Sequence, residues 1–356
     1  MTSTTPYEEK VSPMMVQWHD CKKQAEGSLL LFRLGDFYEA FYADAITLSK
    51  ELELTLTKRQ EIPMAGIPFH TSEGYIDRLV SRGYRVAIAE QIEDPKQVKG
   101  LVKREVVRIV TPGTVIQSSL LSEKSNHFIA CLSLFNQMLG LSVLDLTTAE
   151  FKIWEFESFT SLSDELSRLQ PKELIVSEKA MNLYKEPIEN LSCAVLVREQ
   201  WHFDPEQTHD FLIRHFGVLS LDGFGLQGMD AGVHAAGSLL SYVQDQLHVS
   251  IEHIQTMQKE KSGKYMCLDS ISLRHLEILE PLHDKESKCS LLHLLDQTQT
   301  PMGGRLLKHW LTHPLLSITD IEQRQQALSF FISFPQRKML SLALSEVRDL
   351  EDSLCE

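Results

Sequence analysis

The chain has 356 residues, 43% of them hydrophobic and 24% charged, and a formal net charge of −14. That is long enough for two or three domains with separate cores. No apolar run approaches the roughly 18 residues a bilayer span requires, and the polar start, MTSTTPYEEK, excludes a secretory signal. Six scattered cysteines (Cys21, Cys131, Cys193, Cys267, Cys289 and Cys355), with no Cys-x-x-Cys pair, point to reduced thiols in a cytoplasm, neither a disulfide frame nor a zinc site. The acidity is uneven. Residues 1–120 hold 15 Lys/Arg against 16 Asp/Glu, and residues 121–356 hold 20 against 33, so only the first third has a balance compatible with nucleic acid.

In chain order, Pro13 opens a short helix that ends before Gly27. LLLFRL (29–34) has the length and character of a strand. Asp36 then begins a predicted helix to about Leu52, with apolar residues at Phe37, Ala40, Phe41, Ala45, Leu48 and Leu52. In that reading Asp36 is the N-cap and Glu39 completes a variant capping box. LTLT (54–57) reads as a strand, IPMAGIPFH as a Pro/Gly-shaped loop, residues 71–83 as a helix, and RVAIAEQ and EVVRIVTPG as strands. The alternation gives an α/β domain over 1–115. Residues 116–126 form a Ser-rich linker. A second α/β domain, 127–225, holds a predicted antiparallel meander (HFIACLSLF, MLGLSVLDL, FKIWEFE). It continues with a helix capped by Ser161 and further strands at ELIV and CAVLV. From 226 to 356 the period is helical, and the chain stops in an amphipathic stretch, which reads as a helical domain cut short.

Several motifs invite other functions. Gly223, Gly225 and Gly228 match G-x-G-x-x-G, but the strand before it and the βαβ unit around it are missing, so the glycines read as a joint. SGKY (262–265) lacks the rest of a phosphate loop. Asp145, at the end of a meander strand, suggests a metal nuclease, but two-metal chemistry needs several convergent carboxylates.

FRLGDFYEAFYADA, LTLTKR, the segment from IPMAGIPFH to AEQIEDP, and REVVRIVTPGT occur in an order and spacing that resemble the mismatch-binding domain of the MutS DNA mismatch repair family. The resemblance resumes at LDSISLRHLEIL and LLHLLDQTQTPMGGRLLKHWLTHPL. It implies a mixed-sheet α/β mismatch-binding domain, a ribonuclease-H-like α/β connector and the start of an all-α core. Phe37 and Glu39 match the family's Phe-x-Glu motif, whose ring stacks on a mispaired or unpaired base from the minor groove while the acid hydrogen-bonds it. Asp36, Lys58, Arg59, Met64 and His70 take positions of backbone or groove contacts. Arg108 is left between a phosphate and an acid partner. The implied partners are duplex DNA with mismatches or small loops, and MutL through the connector. No membrane is involved and the location is the bacterial cytosol. Family members dimerise and hydrolyse ATP with Mg²⁺ through a C-terminal domain. This chain is accordingly expected to be a monomer without enzymatic activity, cofactor or metal.

Overall fold

The computed structural model describes residues 12–25, 27–59, 61–93, 101–114, 124–191, 193–260, 263–282 and 289–353. The chain divides into two compact units, Met1–Ser118 with Gln246–Val249, and Ser119–Asp245 with Ser250–Glu356.

The first unit runs α1 (Pro13–Gln24), β1 (Leu29–Leu34), β2 (Phe37–Phe41), α2 (Tyr42–Leu52), β3 (Thr57–Arg59), β4 (Ile62–Pro68), α3 (Ser72–Ser81), β5 (Val86–Gln91) and β6 (Arg104–Val110). Its sheet has the order β3-β4-β2-β1-β5-β6. It is mixed, because β1 and β5 are parallel while the other neighbours are antiparallel. Leu31, Tyr38, Ala40, Ala65, Ile67 and Ile88 on one face bury against Ala45 and Leu48 of α2 and Ile76 and Leu79 of α3.

Two sequence expectations fail here. The helix expected from Asp36 starts six residues later, and Phe37–Phe41 is strand. Gly35, at φ +60°, opens a two-residue hairpin loop that folds Phe37 back opposite Leu34. Helical spacing alone misread the stretch, because four aromatic residues among Phe37, Tyr38, Phe41 and Tyr42 favour a pleated surface. The Asp36–Glu39 capping box is therefore not formed, and the N-cap of α2 is Phe41, which makes no side-chain capping bond. The IPMAGIPFH segment is likewise strand β4 through Pro68, with only Phe69–Thr71 leaving it as a 3₁₀ turn. The strand expected at LTLT starts only at Thr57, so Lys58 and Arg59 lie within β3.

The second unit contains β7 (Phe128–Phe135), β8 (Met138–Asp145), β9 (Glu150–Phe156), α4 (Phe159–Leu169), β10 (Glu173–Ser177), α5 (Glu178–Leu183), α6 (Lys185–Glu189), β11 (Ala194–Arg198), α7 (Pro205–Phe216) and α8 (Asp230–Ser241). After these come β12 (Gln258–Lys259), α9 (Ser270–His275), α10 (Leu291–Leu295), α11 (Pro301–Thr312), α12 (Ile318–Ser333), α13 (Arg337–Ser345) and α14 (Leu350–Ser353). The meander β7-β8-β9 is antiparallel, as the sequence suggested, and the two further strands, β10 and β11, add in parallel beside β7. The cap of α4 is Ser158, whose hydroxyl accepts from Ser161 N, and not Ser161 itself. Most of the linker, residues 115–123, lies outside the described residues; at its far end Lys124 pairs with Asp296 at 3.1 Å.

α8 is buried along nearly its whole length, so this sheet packs against chain beyond residue 225. A Cβ at Gly140 would stand 2.0 Å from the Ala231 carbonyl oxygen, so only glycine lets β8 pass beneath the start of α8. The G-x-G-x-x-G glycines lie within and just after the 3₁₀ turn that follows α7, with no strand between, and Gly225 and Gly228 have φ of +73° and +72°. They make a joint. Asp145 is buried and its carboxylate accepts from Asn126, His127 N, Thr147 N and the Thr147 hydroxyl, which uses its lone pairs structurally. Among the described residues no group of three or more His, Cys, Asp or Glu is placed to hold a metal ion.

Helix α4 is fastened to the end of α11 by buried charge. Glu165 pairs with Arg168 on its own helix and lies 3.3 Å from His313 Nε2. Burial opposes ionisation of Glu165, but His313 and Arg168 outweigh it and hold the carboxyl below the usual range. The His309 ring stacks on His313 at 4.3 Å. Burial, together with the neighbouring His313, pushes His309 down to about 3, so it is neutral.

No helix among the described residues is long and apolar enough to cross a membrane.

Candidate nucleic-acid interface

On a strand, residues two apart share a face. The β2 hairpin therefore places Phe37 and Glu39 side by side, which the expected helix would not have done. Phe37 is 48% exposed although it is a large ring in a strand, while Tyr38 and Ala40 on the opposite face are buried. Pro68 lies opposite Phe37, Gly66 opposite Glu39 and Met64 opposite Phe41, so these β4 residues extend the same face. Farther along it, Phe41 is buried with its ring edge-on to Trp18 of α1 at 6.1 Å. The face is thus covered at one end and open at the other, and Phe37 stands at the open end.

Glu39 sits between these limits. Its side chain is only 16% exposed, and its Oε2 lies 3.5 Å from Arg59 on β3. That separation pairs the charges but is too long for a strong hydrogen bond, and Oε2 is buried without a hydrogen-bond partner. Burial pushes the Glu39 carboxyl above its usual range, and Arg59 partly opposes the shift. Gly66 leaves the carboxylate its room, because a Cβ there would lie 3.4 Å from Glu39 Cγ and 3.3 Å from the Tyr38 carbonyl oxygen.

The strand is braced from behind. The Tyr38 hydroxyl donates to Glu90, and Arg33 lies 3.7 Å from Glu90 with its guanidinium 3.3 Å above the Phe69 ring. Burial and the Glu90 contact push the Tyr38 phenol well above its ordinary value, so it stays a protonated donor. Phe69 N in turn donates to the Asp36 carbonyl at 2.8 Å, tying the hairpin loop to the end of β4. Tyr38 is buried and Arg33, Glu90 and Phe69 are partly so, and this packing fixes the strand from the face opposite Phe37 and Glu39.

The other sequence candidates are spread unevenly. Asp36 is exposed in the hairpin loop. Arg59 and Lys58 are exposed on the edge strand, Lys58 paired with Glu61 at 3.3 Å. Met64 is half-buried on the Phe37 face, and His70 is exposed in the 3₁₀ turn beside Phe69. Arg108 stands apart. It lies opposite Ile88, on the face packed by α2 and α3, and pairs with Glu73 at 2.7 Å. Sequence reading missed Gly66, the Tyr38–Glu90–Arg33 brace, and Arg59 as the counter-ion of Glu39. Strand alternation across β2 and β4 was the signal that could have found Gly66.

The braced strand thus carries an exposed ring and a largely buried acid on one face, a candidate contact surface. Family models for MutS domain I, MutS domain II and MutS domain III match residues 12–119, 127–255 and 271–356. The chain is 56% identical over 330 residues to the DNA mismatch repair protein MutS of Protochlamydia amoebophila, covering 92% of this chain and 38% of that protein. Its identity to the proteins of the same name from Chlamydia abortus and Syntrophobacter fumaroxidans is 45% and 41%, each over 96% of this chain. The chain belongs to the MutS family. It spans 38–42% of the length of these relatives.

Proposed function

We infer that the chain recognises mispaired or unpaired bases in duplex DNA for mismatch repair, with Phe37 as a minor-groove wedge and Glu39 as the polar contact to the displaced base. The single observation that carries this reading is Phe37, half exposed at the open end of a braced strand with Glu39 on the same face. A wedge must unstack a base step at a cost of a few kcal/mol, least at a mismatch. Ring–base stacking returns roughly 1–3 kcal/mol. Intact duplex therefore resists insertion more than a faulty pair does, and selectivity rests largely on deformability, which suits many different mismatches.

Glu39 adds a second filter. As an anion it accepts a hydrogen bond, for example from thymine N3–H, and once protonated it can donate to a purine N7. Its burial raises the carboxyl above its usual range, which favours the protonated form relative to an exposed glutamate. Toward intact duplex it adds repulsion from the phosphates. Lys58, Arg59 and His70 would position the backbone without specifying sequence. We assign contact with MutL to the second α/β domain, and no ATP hydrolysis to these residues; saturable, magnesium-dependent ATP turnover by the purified chain would overturn the latter assignment.

The test is fluorescence anisotropy with a G·T duplex and its G·C counterpart over a salt series. The parent chain should prefer G·T, and Phe37→Ala should erase that preference. A preference that survives in Phe37→Ala overturns the reading.

A further inference from the structure

Arg59 and Glu39 form an ion pair on the Phe37 face. Arg59 is half exposed on the edge strand β3, whereas Glu39 is largely buried on β2, with β4 between them. Register explains their meeting. Arg59 stands opposite Ile62 and Glu39 opposite Gly66, so both side chains use the Phe37 face, four β4 positions apart, and the long arginine side chain spans the difference. The remaining charged or titratable groups on the surrounding elements are engaged elsewhere or lie at the site's margin. Arg33 of β1 pairs with Glu90 of β5, Lys58 of β3 with Glu61, and Asp44 of α2 with Lys22 of α1. His19 of α1 lies against Trp18 and Tyr42, and His70 beside Phe69; Asp36 is in the hairpin loop. β4 itself contributes no charged residue. Among the described residues, Arg59 is the one ion-pair partner of Glu39.

A guanidinium carries five donors and binds phosphate in bidentate fashion. Arg59 presents half of its side chain to solvent on the same face as the wedge, which leaves it open to a phosphate of a duplex seated along that face. A phosphate there competes with the carboxylate, 3.5 Å away, for the guanidinium's charge. We propose that Arg59 sets the protonation of Glu39: in the free protein its guanidinium keeps the carboxylate ionised, and when a DNA phosphate takes Arg59, Glu39 binds a proton from solvent and changes from acceptor to donor. This rests on the reading of Phe37 and Glu39 given above. It makes the polar contact conditional on DNA already being seated. Before binding, the anion repels intact duplex. After binding, the neutral acid can donate its proton in a hydrogen bond to the displaced base. The protonation balances as one proton taken from buffer per Glu39 neutralised, with no bond to DNA formed or broken.

Linkage gives the sign. Binding takes up protons between the free and the bound Glu39 values, so mismatch affinity falls as pH rises through that window. Removing Arg59 raises the free value, narrows the window from its lower side and reduces uptake.

The experiment uses the 356-residue chain with a single-base-mismatch duplex. Calorimetric titrations in buffers of different ionisation enthalpy read proton uptake, and anisotropy over a salt series reads phosphate contacts. Arg59→Gln should lower the salt slope by about 1 and cut proton uptake to less than half of the parent value. Arg59→Lys, which keeps the charge, should restore much of both. Glu39→Gln should abolish uptake in either background. An unchanged salt slope in Arg59→Gln overturns the proposal, because Arg59 then never meets phosphate. A lowered slope with full proton uptake also overturns it, because Arg59 is then only an anchor. Either failure leaves the wedge reading standing if Phe37→Ala still erases mismatch preference; retention of that preference is what removes the reading itself.

Discussion

Glu39 in the first unit and Glu165 in the second are both buried carboxylates beside an arginine, yet their surroundings drive them in opposite directions. Glu165 has Arg168 and His313 within reach, and its carboxyl is held below the usual range. Glu39 has one partner, Arg59, at 3.5 Å and an oxygen without a hydrogen bond, and burial pushes its carboxyl up. The difference separates a fastener from a candidate site. A carboxylate whose needs are met by its own fold holds helices together. One left short is poised for something the fold does not contain.

The largest effect should come from breaking the fastener. Glu165→Ala leaves Arg168 buried without its partner and should cost the second unit about 3 kcal/mol, measured by urea unfolding followed by fluorescence, while mismatch preference is unchanged. The pH dependence sharpens the same point. The folded Glu165 value lies below the unfolded one, so its contribution is present above the ordinary carboxylate value of about 4.3 and is lost as pH falls through the folded value. Acid unfolding of the parent should show this loss, and Glu165→Gln should flatten it. Next in size, Phe37→Ala removes ring stacking of roughly 1–3 kcal/mol at a mismatch. It should leave folding stability within about 0.5 kcal/mol because the ring is half exposed. Glu39→Gln should then tighten binding to intact duplex several-fold by removing repulsion, read by anisotropy; equal or weaker homoduplex affinity would count against the filter. The smallest effect carries the sharpest sign. A carboxyl whose folded value is raised contributes most below its unfolded value and weakens the fold as pH rises through the folded one. Glu39→Gln should therefore stabilise the first unit slightly at neutral pH, by less than about 1 kcal/mol, where Glu165→Gln destabilises the second.

The fold class and order of elements were legible because the strands LLLFRL, RVAIAEQ and the meander are apolar runs of strand length bounded by clear turns. What misled was local. Phe37, Ala40 and Phe41 fit helical spacing as well as strand alternation, and the choice was made by Gly35, whose positive φ turns the chain into a hairpin. β4 was hidden by Pro63, Gly66 and Pro68, residues that normally interrupt strands. Here Gly66 makes room for Glu39, and Pro68 ends the strand opposite Phe37. Of the candidate site, Phe37 and Glu39 were readable from their motif. The Arg59 contact was not, because 20 positions of chain and an intervening strand separate it from Glu39, and only the β2-β4-β3 register brings them together.

The two-residue rhythm of β2 gives the Phe-x-Glu spacing a meaning that composition lacks. Slipping one amino acid in between Phe37 and Glu39, or removing Tyr38, would keep every chemical group yet turn the ring and the acid to opposite sides of the sheet, one toward solvent and one into the packing of α2. The shared face of Phe37 and Glu39 therefore depends on the length of this stretch as much as on which residues fill it.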